Sequence, residues 1–390
     1  MLICSVSQLV AQTSDPVKVG VLNDQSGIYA DLAGPGSVIA ARLAVEDAGG
    51  SVLGRNIEVV VADHQGKPDI GASIARRWYD VDGVTAIFDV PVSSIALAVQ
   101  EIARQKNRIA AFSSASASDI IGKSCSPTTF QWTFNTLSAA RSTASAVFEE
   151  GAKSWYFVAA DYAFGRAMVR DATTVINEKG GRVIGTAWHA LGTSDFASYL
   201  LQAQSSGAQV VAMVSGGSDF INVLKQSNEF GLAAGGQKIV SMQTFISDIH
   251  SIGLPIAQNL TLTAAFYWDL DDETRAWSKR FGALSGGRMP TMAQAGVYSA
   301  VRHYLKGVAK AGTSEDGAAV AAAMREIPVE DMMTHGARIR DDGWVMRNLY
   351  LFRVKTPGES KAPWDYYKLL SKIDADRAAP PRLPDCKAGG

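Results

Sequence analysis

The sequence predicts an α/β protein built as two successive lobes, each a parallel sheet covered by helices. Short β-rich runs alternate with helical patterns from residue 17 to residue 113, as βαβ units require. The alternation restarts at residue 153 and runs on to residue 243, a second series of domain size. The later elements are too few for a third domain and are expected to complete the first two.

In the first series "VKVGVL" (17–22) reads as a strand and "SVIAARLAVEDAGG" (37–50) as a helix closed by glycines, which suit the left-handed residue after a helix end. Strand "NIEVVVADH", helix "DIGASIARRWYDVDG", strand "TAIFDV", helix "SSIALAVQEIARQKN" and strand "RIAAFS" follow. The second series opens with strand "KSWYFVAAD" (153–161) and helix "GRAMVRDATTVINEKGG". It continues through strand "RVIGTAWHA", helix "FASYLLQAQSSG", strand "QVVAMVS", helix "DFINVLKQSNEFG" and strand "KIVSMQ". A strand at 261–270, helices at 291–312 and 314–327 and a strand at 348–354 are the late pieces.

Net charge is −1, with 37 basic and 38 acidic residues and no local basic cluster, which leaves no electrostatic footprint for nucleic acid. No run of about 18 apolar residues is long enough for a membrane-spanning helix. The opening "MLICSVSQLVAQTSDP" has a short apolar stretch and then Leu9-Val10-Ala11, a small-residue pattern that fits a secretory cleavage site. Residues 1–15 are therefore read as the remnant of an export signal or a tail, and the protein as exported. If Cys4 leaves with that segment, Cys125 and Cys386 remain as an even pair in loop-like sequence, expected to form a disulfide, with two free thiols as the alternative.

In open α/β sheets ligands bind beyond the carboxyl ends of the strands, where helix N-termini present backbone N–H groups. Here those ends read "NDQSGIYADLAG", "PVSS" (91–94), "SSASAS" (113–118), "ADYAFG" (160–165), "SGGSD" (215–219) and "QTFISD" (243–248). No G-x-S-x-G elbow occurs, the five histidines show no partner pattern, and neither phosphate loop matches. No metal-ligand spacing is visible, so no metal or cofactor is expected. Hydroxyls and main-chain N–H groups at strand ends remain, and they suit an anion such as a carboxylate, with helix capping as the competing role for any one serine.

The order of elements, the "VKVGVL…SG" start, the "ADYAFG" turn and "QVVAMVSGG" resemble the periplasmic substrate-binding proteins of branched-chain amino acid ABC transporters, the leucine-binding type. The resemblance spans about residues 16–370 and is strengthened by "CSPTTFQWTFNT" and "AFYWDLDDETRAW". It implies two Rossmann-like lobes joined by three crossing segments near 134–138, 262–267 and 335–341. Lobe one is then 16–135 plus 265–337, and lobe two is 136–264 plus 338–390. The implied function is capture of a small molecule between the lobes by a monomer that delivers it to a membrane permease, with no catalysis. An enzyme or a sensory receptor domain on the same plan is the competing class.

The resemblance also implies a ligand set. The carboxylate is held in lobe one by Ser93 or Ser94 and by Ala115, Ser116 and Ser118. Tyr162 and Phe164 face it from lobe two, with Ser218 or Asp219 after the paired glycines. Family members that bind amino acids hold the α-ammonium with acids, but the matching stretches here are "SMQTF", with Gln243 or Thr244 at the acidic position, and "FNTLSA". Burying an ammonium without a carboxylate partner costs several kcal/mol. Tyr29, Phe134, Phe245 and Trp268 add aromatic surface to the strand ends. The expected ligand is thus an organic carboxylate without an α-amino group, an aromatic acid first, with a branched-chain or other amino acid as the alternative.

Overall fold

In the computed structural model, which describes residues 15–384 and 386, the first series folds as the patterning requires. It comprises β1 (Val17–Asn23), α1 (Gly34–Asp47), β2 (Ser51–Val52), β3 (Arg55–Asp63), α2 (Pro68–Asp80), β4 (Val84–Asp89), α3 (Ser93–Gln105), β5 (Ile109–Phe112) and β6 (Thr129–Gln131). The sheet runs β2-β3-β1-β4-β5-β6, parallel throughout except for the β2–β3 hairpin. β4 and β5 are buried at every residue and read VTAIFD and IAAF. Mostly apolar runs of this kind are what a strand covered on both faces needs.

The second series follows α4 (Thr136–Glu149) with β7 (Ser154–Ala160), α5 (Ala163–Glu178), β8 (Arg182–His189), α6 (Ala197–Ser205), β9 (Val210–Val214), α7 (Gly217–Glu229) and β10 (Lys238–Ser241). Its sheet is parallel, in the order β10-β9-β7-β8, and short helices α8 (Ile246–Ile252) and α9 (Leu254–Ala257) come next. α4 escapes the sequence reading because TLSAARSTASAVFE carries few large apolar residues. Its start is set by a reciprocal cap: the Asn135 side chain accepts from the Ser138 N–H at 2.8 Å, and the Ser138 hydroxyl accepts from the Asn135 N–H at 3.1 Å.

The late elements are β11 (Thr261–Ala264), α10 (Asp272–Leu284), α11 (Met292–Ala311), α12 (Gly317–Glu326), β12 (Val329–Asp331), β13 (Thr334–Ile339), β14 (Val345–Met346), β15 (Leu349–Val354), β16 (Tyr367–Ile373) and α13 (Ala375–Ala378). α10 and α11 pack on α1, while the antiparallel β11-β15-β16 sheet lies against α4. The expected strand at 261–270 stops at Ala264, where the chain crosses back to lobe one.

The crossings fall at residues 132–135, 265–271 and 347–348. The third comes later than the expected 335–341. β14 pairs with β13, Trp344 bridges Gln131 of β6, and the Gln131 N–H donates to the Gly343 carbonyl at 3.0 Å. Gly343 sits at φ +87°, and a Cβ there would stand 2.2 Å from the Thr129 carbonyl, so the turn is pressed onto β6. Residues 338–346 therefore belong with lobe one rather than lobe two. The tail returns there as well: Pro380 accepts from Arg340 Nη1 at 2.6 Å, Leu383 packs at Gly122, and the Cα of Cys386 lies 5.4 Å from that of Cys125. That separation is one a disulfide spans. Cys4 and the signal-like segment through residue 14 lie outside the described residues.

Candidate functional site

The carboxyl ends of β1, β4 and β5 converge on one buried acid. Asp89 accepts from Asn23 Nδ2 at 2.9 Å, from the Ser113 hydroxyl at 3.3 Å and from the Ser114 hydroxyl. Burial pushes its carboxyl up while these donors oppose the shift. Asp89 and Val90 take φ +80° and +50°, a region a β-branched residue rarely enters, and the Val90 N–H is fixed to the Leu22 carbonyl at 3.1 Å. This kink aims the start of α3 at the "SSASAS" loop. There the Ser93 hydroxyl accepts from the Ala117 N–H at 3.3 Å, which leaves its own hydrogen to give. Among the described residues the N–H groups of Ser114, Ala115 and Ser116 donate to no protein acceptor. Three free amides, one hydroxyl hydrogen and a helix N-terminus form a cradle of donors, a chemistry that suits an anion.

The second lobe is closed against this cradle. The Tyr29 and Tyr162 hydroxyls meet at 2.5 Å, Ser116 donates to Gln243 Oε1 at 3.3 Å, and the Ser218 N–H donates to the Ile28 carbonyl at 3.2 Å. Between the lobes lies a cavity of about 10 Å³, walled by Tyr29, Ser93, Ser114 and Ser116 with Tyr162, Phe164 and Gln243, and by Leu32, Pro91 and Gly216. None of these side chains is charged. A cavity of this size barely accepts one water, so any organic ligand requires the lobes or the tyrosines to part. A larger cavity of about 450 Å³ opens between the same lobes, lined by Ile39, His250, Phe281, Arg288 and Trp364 among others, and no residue expected to contact ligand borders it.

Of the residues expected at the site, Tyr29, Ser93, Ser116, Tyr162 and Phe164 share this wall. Ser94 is half-buried and stands outside it, because one step along α3 turns the side chain away. Ala115 does not border the cavity; its N–H has no protein acceptor among the described residues, and its carbonyl accepts from Gln131 Nε2 at 3.2 Å. Ser118 is spent elsewhere: its hydroxyl donates to Asp171 Oδ2 at 2.6 Å and accepts from Arg170 Nη2 at 2.7 Å, a tie across the lobes continued by the Arg170–Asp119 ion pair at 3.1 Å. Phe134 and Phe245 pack edge to face at 6.4 Å and border neither of these two cavities. Thr244 donates to Ser241 at 2.6 Å, leaving Gln243 as the residue at the cavity. Ser218 joins the lobes through its backbone alone, and Trp268 gives its indole N–H to the Trp364 carbonyl at 2.8 Å.

Asp219 is 1% exposed and accepts from the Gly192 N–H at 2.9 Å, and burial pushes its carboxyl up to about 6. Asp161 is exposed and held by Arg166 at 2.6 Å, so it faces solvent. Leu32, Pro91, Ser114 and Gly216 were not singled out as contacts. All four nevertheless lie in the strand-end segments quoted above. Among the described residues no cluster of His, Cys, Asp and Glu has the arrangement of a metal site.

The chain matches the family model described as periplasmic binding protein over residues 16–361. A periplasmic binding protein from Burkholderia mallei is 39% identical, with 96% of this chain and 99% of that one covered and a TM-score of 0.93. A branched-chain amino acid ABC transporter periplasmic ligand-binding protein from Burkholderia xenovorans is 40% identical over 95% of this chain and 100% of that one, with a TM-score of 0.83. A solute-binding protein of an ABC transporter from R. palustris, in complex with benzoate, shares the fold at 21% identity and a TM-score of 0.84, with 95% and 99% covered. No curated protein matches the chain. With this fold and this match, the chain belongs to the periplasmic binding protein family, the solute-binding components of ABC transporters, and is not an enzyme.

Proposed function

We propose that the protein captures a small organic carboxylate, an aromatic acid first, between its lobes and delivers it as a monomer to a membrane permease. The observation that carries this reading is the pairing of free amides at Ser114 and Ser116 with a cavity wall that holds no charged side chain. Such a site satisfies a carboxylate and offers an α-ammonium no acid on its surface, while Tyr29, Tyr162 and Phe164 provide faces for a ring. Cys125 and Cys386 are taken as oxidised in the periplasm. A second reading, an amino acid ligand, is favoured by what the Burkholderia xenovorans relative is described as binding, and it recruits Asp219 as the ammonium's partner.

Calorimetric titration separates the two. Benzoate- or cinnamate-like acids are expected to bind at about micromolar Kd or tighter with little response to leucine, and the reverse pattern overturns the proposal. Ser93→Ala should weaken the acid by roughly tenfold or more, because a hydrogen bond to a charged group is lost. Ser116→Ala should cost less than about threefold, because its N–H does the work and its hydroxyl is directed to Gln243.

A further inference from the structure

Far from the cleft, a buried cation is left without a partner. Arg347 lies between β14 and β15, at the third crossing, and is 2% exposed. Its Nε, Nη1 and Nη2 have no hydrogen-bond partner among the described residues. Burial pushes the guanidinium down only to about 10, so it is charged at neutral pH. The acid that favours this charge most is Asp331, and its oxygens are already taken. Oδ1 accepts from the Met333 N–H at 2.8 Å and the Thr334 N–H at 3.2 Å, and Oδ2 from the Ser299 hydroxyl at 2.6 Å. A buried charge is tolerated when something pairs with it. Arg347 also borders a cavity of about 170 Å³, walled by Thr334, Arg338, Asn348 and Asp376 among others. None of that cavity's lining residues borders either cavity between the lobes. Its volume is several times the roughly 30 Å³ share of a water molecule in the liquid. Arg338 adds a second, exposed cation to the wall, and His335 is spent on Glu330 at 2.9 Å. Against these charges stands the exposed Asp376.

We propose that this cavity binds a compact oxyanion, of the size of phosphate or sulfate, as the counter-ion of Arg347. The fork of a guanidinium matches two oxygens of such an anion, which a single-atom halide does not offer. Thr334 and Asn348 carry hydroxyl and amide donors on the same wall. Water alone would solvate the guanidinium and leave its charge uncompensated. The site stands apart from the serine cradle, so it is independent of what the cleft captures.

The test follows thermal unfolding of the full protein in phosphate and in chloride at equal ionic strength, beside Arg347→Met, Arg338→Gln and Asp376→Asn. Phosphate at about a hundredfold its Kd is expected to raise the melting temperature of the natural chain about 2–4 °C above that in chloride. Arg347→Met puts an apolar chain in place of the buried charge, so it should fold, melt no lower than the natural chain in chloride, and lose the phosphate response. The two exposed positions should move the phosphate midpoint in opposite directions, up about threefold in Arg338→Gln and down about threefold in Asp376→Asn. Equal melting of the natural chain in the two salts overturns the site. A phosphate response that persists in Arg347→Met overturns the pairing with Arg347. Midpoints unmoved in both exposed variants put the phosphate elsewhere and overturn its place in this cavity. A response that arises only in Asp376→Asn makes that carboxylate the natural partner of Arg347 and overturns the proposal.

Discussion

Gly217→Ala is expected to cost roughly a hundredfold in ligand affinity while leaving a folded protein. Gly217 opens α7 at φ +58°, and a Cβ there would stand 2.1 Å from the Ile28 carbonyl of the opposite lobe. Two backbones meet at this point, so no side chain can swing aside. The clash exists only when the lobes close, and the energy that would draw them together must first push them apart. Alanine also incurs the left-handed backbone penalty of about 1 kcal/mol, and a control isolates it. Gly207 lies at φ +64° with nothing within 4 Å of the added atom, so Gly207→Ala carries the backbone cost without the clash. Both variants should lose similar thermal stability without ligand. Only Gly217→Ala should lose affinity, along with the compaction on ligand addition that small-angle scattering reports. Equal affinity in the two variants would mean that the lobes need not meet here to bind.

Breaking the Cys125–Cys386 link is expected to remove about 2–5 kcal/mol of stability, because the two positions are 261 residues apart and the bridge restrains a very long loop of the unfolded chain. The loss should show as a melting temperature several degrees lower in reductant and in Cys386→Ser, with no further effect of reductant on that variant. The tail beyond α13 should then become sensitive to protease, since its remaining holds include only Pro380 at Arg340, Leu383 at Gly122 and the exposed Arg382–Asp341 ion pair at 3.3 Å. Titration of two free thiols in the folded, non-reduced protein would overturn this expectation.

The β-α alternation made the lobes legible, because continuous apolar strands and glycine-closed helices are local features. The serine loop was legible too, since its composition and its place after a buried strand are both written in the chain. Single side chains were not. Ser93 and Ser94 differ by one step of a helix, and only the helix's rotation decides which faces the cavity. Gln243 and Thr244 differ in the same way at a strand end. Ser118 looks like its neighbours in sequence, yet it serves Asp171, a residue 53 positions away that becomes adjacent only when the lobes are in place. The third crossing is hard to place for a related reason: nothing local in residues 338–346 shows that the turn at Gly343 sits against Thr129 of β6.

The bent link between β4 and α3 holds strain that packing offsets. Val90 at φ +50° stores strain of about 1–3 kcal/mol, which glycine there would relieve. Val90 is also fully buried in the core, so the exchange gives up packing of at least similar size and no stability is gained. The same exchange loosens the segment that delivers Ser93 and the first turn of α3 to the cradle, and a looser segment must be ordered each time a ligand arrives. A chain engineered as a robust sensor should gain its stability at other places, such as exposed Gly358, which has open space around it and no left-handed backbone, and leave this valine as it is.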